Sequence, residues 1–153
     1  YSSQLPDLTG LSLSDVATSS TITLAADTIS YVDYTGAAAC AATLPAATAG
    51  TVVVYVQAKD TAGGTATLSF DCAGSDVYKT GSIIESRGSS EVSFDASIAN
   101  ETLLTFTPAD AATNLLTTSG KIYFVCYEKG TWVISYDFTG AAAAVTGAFA
   151  FAS

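Results

Sequence analysis

The side chains with chemistry to offer are carboxylates and thiols. Ten Asp and four Glu stand against five cations, for a formal charge of −9, and there is no His. Two carboxyls act as general acid and base only when a cleft holds them face to face. A calcium loop needs a D-x-[DN]-x-[DN]-G run, which is absent. The carboxylates are scattered, so they read as solvated surface charge. Without His the commonest general base, the Ser-His-Asp triad and every His-containing zinc site are excluded. Cys40, Cys72 and Cys126 are an odd number with no C-x-x-C spacing. They are expected as small buried apolar groups with inert thiols, the alternative being one disulfide and a free thiol. Gly63-Gly64 and Gly147 sit in no phosphate-binding frame. No residues pair as nucleophile and base. No catalytic, metal or cofactor residue is therefore nominated, and the chain is not expected to be an enzyme. Tyr31, Tyr34, Tyr55 and Tyr78 are candidates for stacking on carbohydrate, with core packing as the default.

The surrounding composition restricts partners. A chain of 153 residues has room for one domain with a proper core. Apolar residues make up 49% and charged residues 12%, against about 25% charged in an ordinary soluble domain. Four lysines and one arginine cannot build a basic patch, so neither nucleic acid nor an anionic membrane surface is an expected partner. Asp7, Asp15, Asp27 and Asp33 all precede the first cation, Lys59. This acidic first third would complement a basic surface or keep a charge-poor chain in solution. The run 140–152 is too short and too interrupted for a membrane-spanning helix, which needs about 20 apolar residues. With Tyr1 first and no Met, the numbered chain is expected to lack an upstream piece.

Apolar residues alternate with period two along almost the whole sequence, and no window carries a helical stripe. The fold class expected is all-β: an antiparallel sandwich, jelly roll or small barrel. Strands are read at 21–24, 29–34, 39–44, 91–94, 103–107 and 145–152, with 79–90 and 109–119 as exposed loops. Thr51–Ala58 and Thr65–Asp71 are read as a hairpin, with Leu68 and Phe70 on its core face. The clearest hairpin is 121–138, turning at Lys129-Gly130. It would set Tyr127 opposite Trp132, Val125 opposite Ile134 and Tyr123 opposite Tyr136. Its other face, with Ile122, Phe124, Cys126 and Val133, is too apolar for water and needs a cover, either a second sheet or a neighbouring subunit. Residues 1–18 read as an N-terminal arm and 19–153 as a single β domain. Leu5, Leu8, Leu11 and Leu13, set among turn formers, either dock on another chain or close one end of the core.

The order Thr21-Ile-Thr-Leu, Ala42-Thr-Leu-Pro-Ala46, Ala49-Gly50, Gly74-Ser-Asp76 and Gly130-Thr-Trp-Val-Ile134 resembles the head-decoration and head-fibre proteins of tailed bacteriophages. The resemblance covers most of residues 20–138. It implies a structural virion protein, a capsid decoration or cement protein on the outer capsid surface. Its partners would be the major capsid protein and sister copies in a homo-oligomer, by the resemblance a trimer, with no cofactor. Leu5, Leu8, Leu11, Leu13, Ile122, Phe124 and Val133 are the candidates for the capsid or subunit interface. The alternative is a glycan-binding tail-fibre or adhesin module.

Overall fold

Period-two alternation becomes a buried stripe wherever it is regular. Ile22 and Leu24 are buried while Thr21 and Thr23 are open, and Leu68 and Phe70 are buried beside an exposed Asp71. The computed structural model describes residues 10–16, 20–58, 65–87, 92–108, 120–137 and 147–153, and no helix occurs among them. The strands are β1 (Ser12–Val16), β2 (Thr21–Thr23), β3 (Thr28–Val32), β4 (Cys40–Thr43), β5 (Val52–Gln57), β6 (Leu68–Asp71) and β7 (Val77–Tyr78). They continue as β8 (Ile83–Arg87), β9 (Val92–Ala96), β10 (Leu103–Pro108), β11 (Lys121–Glu128), β12 (Thr131–Asp137) and β13 (Gly147–Ala152).

The first six strands alternate between two sheets. One sheet has the order β1-β3-β5-β11-β12-β7 and the other β13-β10-β6-β4-β2. β1, β3 and β5 are mutually parallel, as are β2, β4 and β6. The chain thus winds back and forth between the layers, and each return lays a new strand parallel to the last one in that layer. Antiparallel pairing joins β8 to β9, β10 to β6 and β13, and β11 to β5 and β12, while β7 lies parallel to β12. The sheets are therefore mixed, which corrects the expectation of a purely antiparallel fold. It also corrects the expected hairpin at 51–71, because β5 and β6 lie in different sheets. Both faces of β5 are apolar, so its pattern does not reveal which neighbour it takes.

Asp27 holds the corner where the winding turns into β3. It has a left-handed backbone, φ 53°, which costs a non-glycine residue about 1–2 kcal/mol. In return its N–H donates to the Val52 carbonyl at 2.7 Å, its Oδ1 accepts the Val52 N–H at 3.1 Å, and its carbonyl accepts the Ser12 N–H at 3.0 Å. One residue ties the starts of β1, β3 and β5.

The inner faces of the sheets enclose one core containing Leu24, Tyr34, Tyr55, Phe70, Tyr78, Leu104, Phe106, Phe124 and Trp132. Tyr55 meets Phe70 edge to face, with centroids 5.0 Å apart at 82°. The polar handles of the tyrosines are satisfied inside it. Tyr78 donates to the Phe70 carbonyl at 2.9 Å, bridging the sheets, and Tyr34 donates to the Ala66 carbonyl. Tyr55 donates to Oε1 of the buried Gln57, whose Nε2 donates to the Tyr34 carbonyl.

The hairpin at Lys129-Gly130 is present, with a register the sequence does not announce. Glu128 faces Thr131, but Val125 faces Val133 and Phe124 faces Ile134, so a β-bulge sits between Val125 and Glu128. The extra residue turns β11 over relative to the regular pairing. Ile122, Phe124, Cys126, Trp132 and Ile134 then share the core side, while Tyr123 and Val125 face outward. The expected ladder of Tyr123, Val125 and Tyr127 with Trp132, Ile134 and Tyr136 is corrected accordingly, and Tyr127 is 73% exposed. The region read as a loop at 79–90 contains β8, paired with β9 and anchored by a fully buried Ile84. Two adjacent isoleucines among Ser and Gly were too short a run to mark it. The loop read at 109–119 lies outside the described residues.

Candidate functional site

No constellation of side chains suited to catalysis emerges from the described carboxylates. Several secure a backbone N–H instead. Asp76 Oδ2 accepts from Ala47 at 2.7 Å, Glu101 Oε2 from Ile98 at 2.7 Å, and Asp95 Oδ2 from Phe151 at 2.7 Å. Among the described residues no group of three His, Cys, Asp or Glu side chains is placed to hold a metal ion. Cys40, Cys72 and Cys126 are free and buried. Burial pushes all three thiols upward, Cys72 to about 12 with Asp71 and Asp76 adding to the rise. A thiol held protonated and enclosed is a poor nucleophile. Of the four tyrosines weighed for carbohydrate stacking, Tyr34, Tyr55 and Tyr78 are buried in the core. Burial also raises their hydroxyl pKa values, and only Tyr31 meets solvent.

What remains is surface, where the exposed large apolar side chains among the described residues are Leu13, Tyr31, Ile83, Ile98 and Tyr127. The outer side of the six-stranded sheet carries a second apolar cluster of Val54, Val56, Tyr123 and Val125, itself buried at 1–7% exposure and joined by the half-buried Leu11, Ile29 and Val52. Registers align it in rows: Leu13 beside Ile29, Ile29 beside Val54, Val54 beside Tyr123. At the β1 margin the rows become exposed, with Leu13 at 68% and Tyr31 at 37%. The predicted interface residues divide around this face. Leu11 packs half-buried on it, Val133 is half-buried in β12, and Leu13 stands open at its margin. Ile122 and Phe124 are corrected: they lie on the opposite side of β11, in the core between the sheets, so the cover they needed is the chain's own second sheet. Leu5 and Leu8 lie outside the described residues.

The two lateral ends of the sheets are finished differently. At the β7 margin the Tyr78 N–H, which faces away from β12, donates to the Glu101 carbonyl at 2.8 Å. At the β13 margin the Phe151 N–H is taken by Asp95, and β8 and β9 pack alongside. That end is closed. The other end is the first turn of the winding, β1 and β2. Ser12 donates to Asp27 of the β3 side. In a parallel ladder both backbone groups of one residue point to the same neighbour and those of the next residue point away. Ser12, Ser14 and Val16 therefore serve β3, while the N–H and C=O of Leu13 and Asp15 are turned outward. Among the described residues no hydrogen bond reaches them.

Comparison of the chain with protein-family models, curated proteins and solved structures finds no match. Sequence reasoning missed the closed and open ends altogether. Closure depends on single carboxylates and carbonyls meeting distant amides, and a lone Asp95 or Glu101 carries no signal of that pairing.

Proposed function

We propose that the chain is a structural virion protein, a capsid decoration or cement protein that binds the outer surface of a tailed-phage head and stabilises it. In this reading it works as a homo-oligomer, a trimer by the sequence resemblance, with the major capsid protein as its partner. The observation that carries the reading is exposed apolar surface on the β1 side of the six-stranded sheet, where Leu13 is 68% and Tyr31 37% exposed beside the buried outer cluster. Natural edge strands are protected by short length, charged side chains, Pro, bulges or a cover; Ser12-Leu-Ser-Asp-Val16 is short and carries one charge, Asp15, with no Pro and an unbroken register on β3. A body of this kind gains from being covered, and a lattice of capsid subunits is one way to cover it. The low charged fraction agrees, because interface cores are depleted of charge. The glycan-binding alternative is left with Tyr31 alone of its four stacking candidates.

Quantitative mass spectrometry of purified virions tests the reading. A copy number comparable to that of the major capsid protein, and binding of the purified chain to heads stripped of it, is expected. A handful of copies located at the tail tip would overturn it.

A further inference from the structure

We propose that β13 is an exchangeable strand, and that the slot it fills accepts the β13 of a second copy of this chain. The proposal goes beyond the capsid reading and does not rest on it. Both the slot and its occupant are in the structure. β10 forms one wall, pairing antiparallel with β13 over six residues, from Leu103 beside Ala152 to Pro108 beside Gly147. Asp95 of β9 forms the other, its carboxylate accepting the Phe151 N–H at 2.7 Å. The floor is aromatic. The Phe149 ring centroid lies 4.9 Å from that of Phe106, and the Phe151 centroid 5.3 Å from that of Tyr78, with both phenylalanines buried. In strand addition main-chain bonds supply affinity and pockets for alternate side chains supply specificity. Phe149 and Phe151 stand on the same side of β13 and are the two side chains those pockets select.

Tyr78, Asp95, Leu103–Pro108 and Phe106 all lie well back in the chain, and a second copy presents them identically. The strand that precedes β13 in the chain, β12, belongs to the other sheet. The bonds that hold β13 are therefore the same whichever molecule it comes from, and only the connection 138–146 decides. The ten steps from Asp137 to Gly147 reach up to about 33–36 Å, whereas stacked sheets are about 10 Å apart. That surplus carries β13 into the slot of an adjoining molecule. Exchange of an identical element is a low-cost route to association, because contacts given up within a chain are regained between chains. Charge selects this strand as the one to cross. The chain carries −9 overall, which sets two copies in mutual repulsion, but residues 138–153 contain no Asp, Glu, Lys or Arg. β13 thus enters a second copy without bringing like charges together. Handed from each copy to the next, it makes a heterologous contact of the kind that closes into a ring.

Thr105 and Ala150 face each other in the β10–β13 register, at the Cα separation of paired antiparallel residues, which a disulfide spans. One full-length chain carries Thr105→Cys and another Ala150→Cys. The two are mixed, unfolded in urea, refolded, and oxidised with glutathione disulfide once the three native thiols are buried again. The expected product is a covalent dimer linked between positions 105 and 150, identified by mass spectrometry of its tryptic peptides, with a yield that rises with protein concentration. A single chain carrying both substitutions is expected to close the same link. Closure there with no 105–150 link in the mixture would overturn the proposal, and so would a double variant that never closes. A second measurement needs no substitution. Parent chains, half of them ¹³C-labelled, are refolded together with unlabelled ones, and isotope-filtered NOEs are expected between the Phe106 and Phe149 rings of different chains. Phe106–Phe149 NOEs confined to single chains would overturn the proposal. Neither readout involves phage heads, so strand exchange and the capsid reading fail separately.

Discussion

Gln57 is a polar side chain at 1% exposure that reaches the hydroxyl of a core tyrosine, and replacing it by leucine measures what its network contributes. Gln57→Leu keeps roughly the same shape and removes both the acceptor for the Tyr55 hydroxyl and the donor to the Tyr34 carbonyl. A buried polar group left without a partner costs about 1–3 kcal/mol. Two of them give a gross loss of about 2–6 kcal/mol, offset by about 1–2 kcal/mol for the better burial of leucine methyls. The expected net loss is therefore about 1–4 kcal/mol, or a fall of roughly 2–16 °C in Tm for a chain of this size. Tyr55→Phe removes the hydroxyl alone and strands Gln57 Oε1, for about 1–3 kcal/mol. The double variant strands only the Tyr34 carbonyl, so it should cost less than the sum of the singles by the cost of the Tyr55 hydroxyl and Gln57 Oε1 that the singles strand, about 2–6 kcal/mol. Urea unfolding at pH 7 reads all three variants, with an unchanged m-value as the check that the denatured states are comparable. Effects that add to within about 0.5 kcal/mol would refute the pairing of Tyr55 with Gln57. A Gln57→Leu protein as stable as the parent would refute the view that this network holds the core in one arrangement.

Three further outcomes follow from features of the fold. Asp27→Ala should lose about 2 kcal/mol, combining left-handed strain with the lost bond to Val52, while Asp27→Gly should recover about half of that and Asp27→Asn nearly all, as read by thermal melts. Stability should fall as pH rises from about 9 through about 12, because the folded state holds protons on Cys72 and on Tyr34, Tyr55 and Tyr78 that the unfolded chain releases earlier; urea midpoints across that range should drop, and Cys72→Val should flatten the lower part of the fall. Deleting Tyr127 should regularise the β11–β12 pairing with Cys126 and Trp132 both still facing the core, at a cost below about 1 kcal/mol, whereas a loss of several kcal/mol would show that the bulge is required for the hairpin.

The all-β class was legible because alternation survives in most strands, from Ile22 and Leu24 to Leu68 and Phe70. Partnership was not. Period two specifies which side of a strand is buried and is silent on which strand lies beside it, so β5 and β6, close in sequence, read as a hairpin although they lie in opposite sheets. The turn at Lys129-Gly130 was readable from its residue types. The bulge two residues before it was not, since Cys126 and Tyr127 pass equally well for a regular strand. Among the interface candidates, Leu13 stands exposed at the β1 margin. Ile122 and Phe124 were misplaced because an apolar outer face and an apolar core look the same in a strand that is covered on both sides.

The alternation of β1 to β6 between the layers also orders events during synthesis. β5 has β3, already made, on one side, but its other neighbour, β11, emerges only after most of the chain. β6 likewise waits for β10. The half-built winding therefore leaves the ribosome with the inner margins of both sheets unpaired and Val53, Tyr55, Leu68 and Phe70 lacking the aromatic partners that complete their core. Pairings of such long sequence separation place folding in roughly the millisecond-to-second range, and the waiting intermediate exposes the strand edges that drive aggregation. A truncation ending before Lys121 is accordingly a trapped, sticky fragment and not a smaller version of the domain.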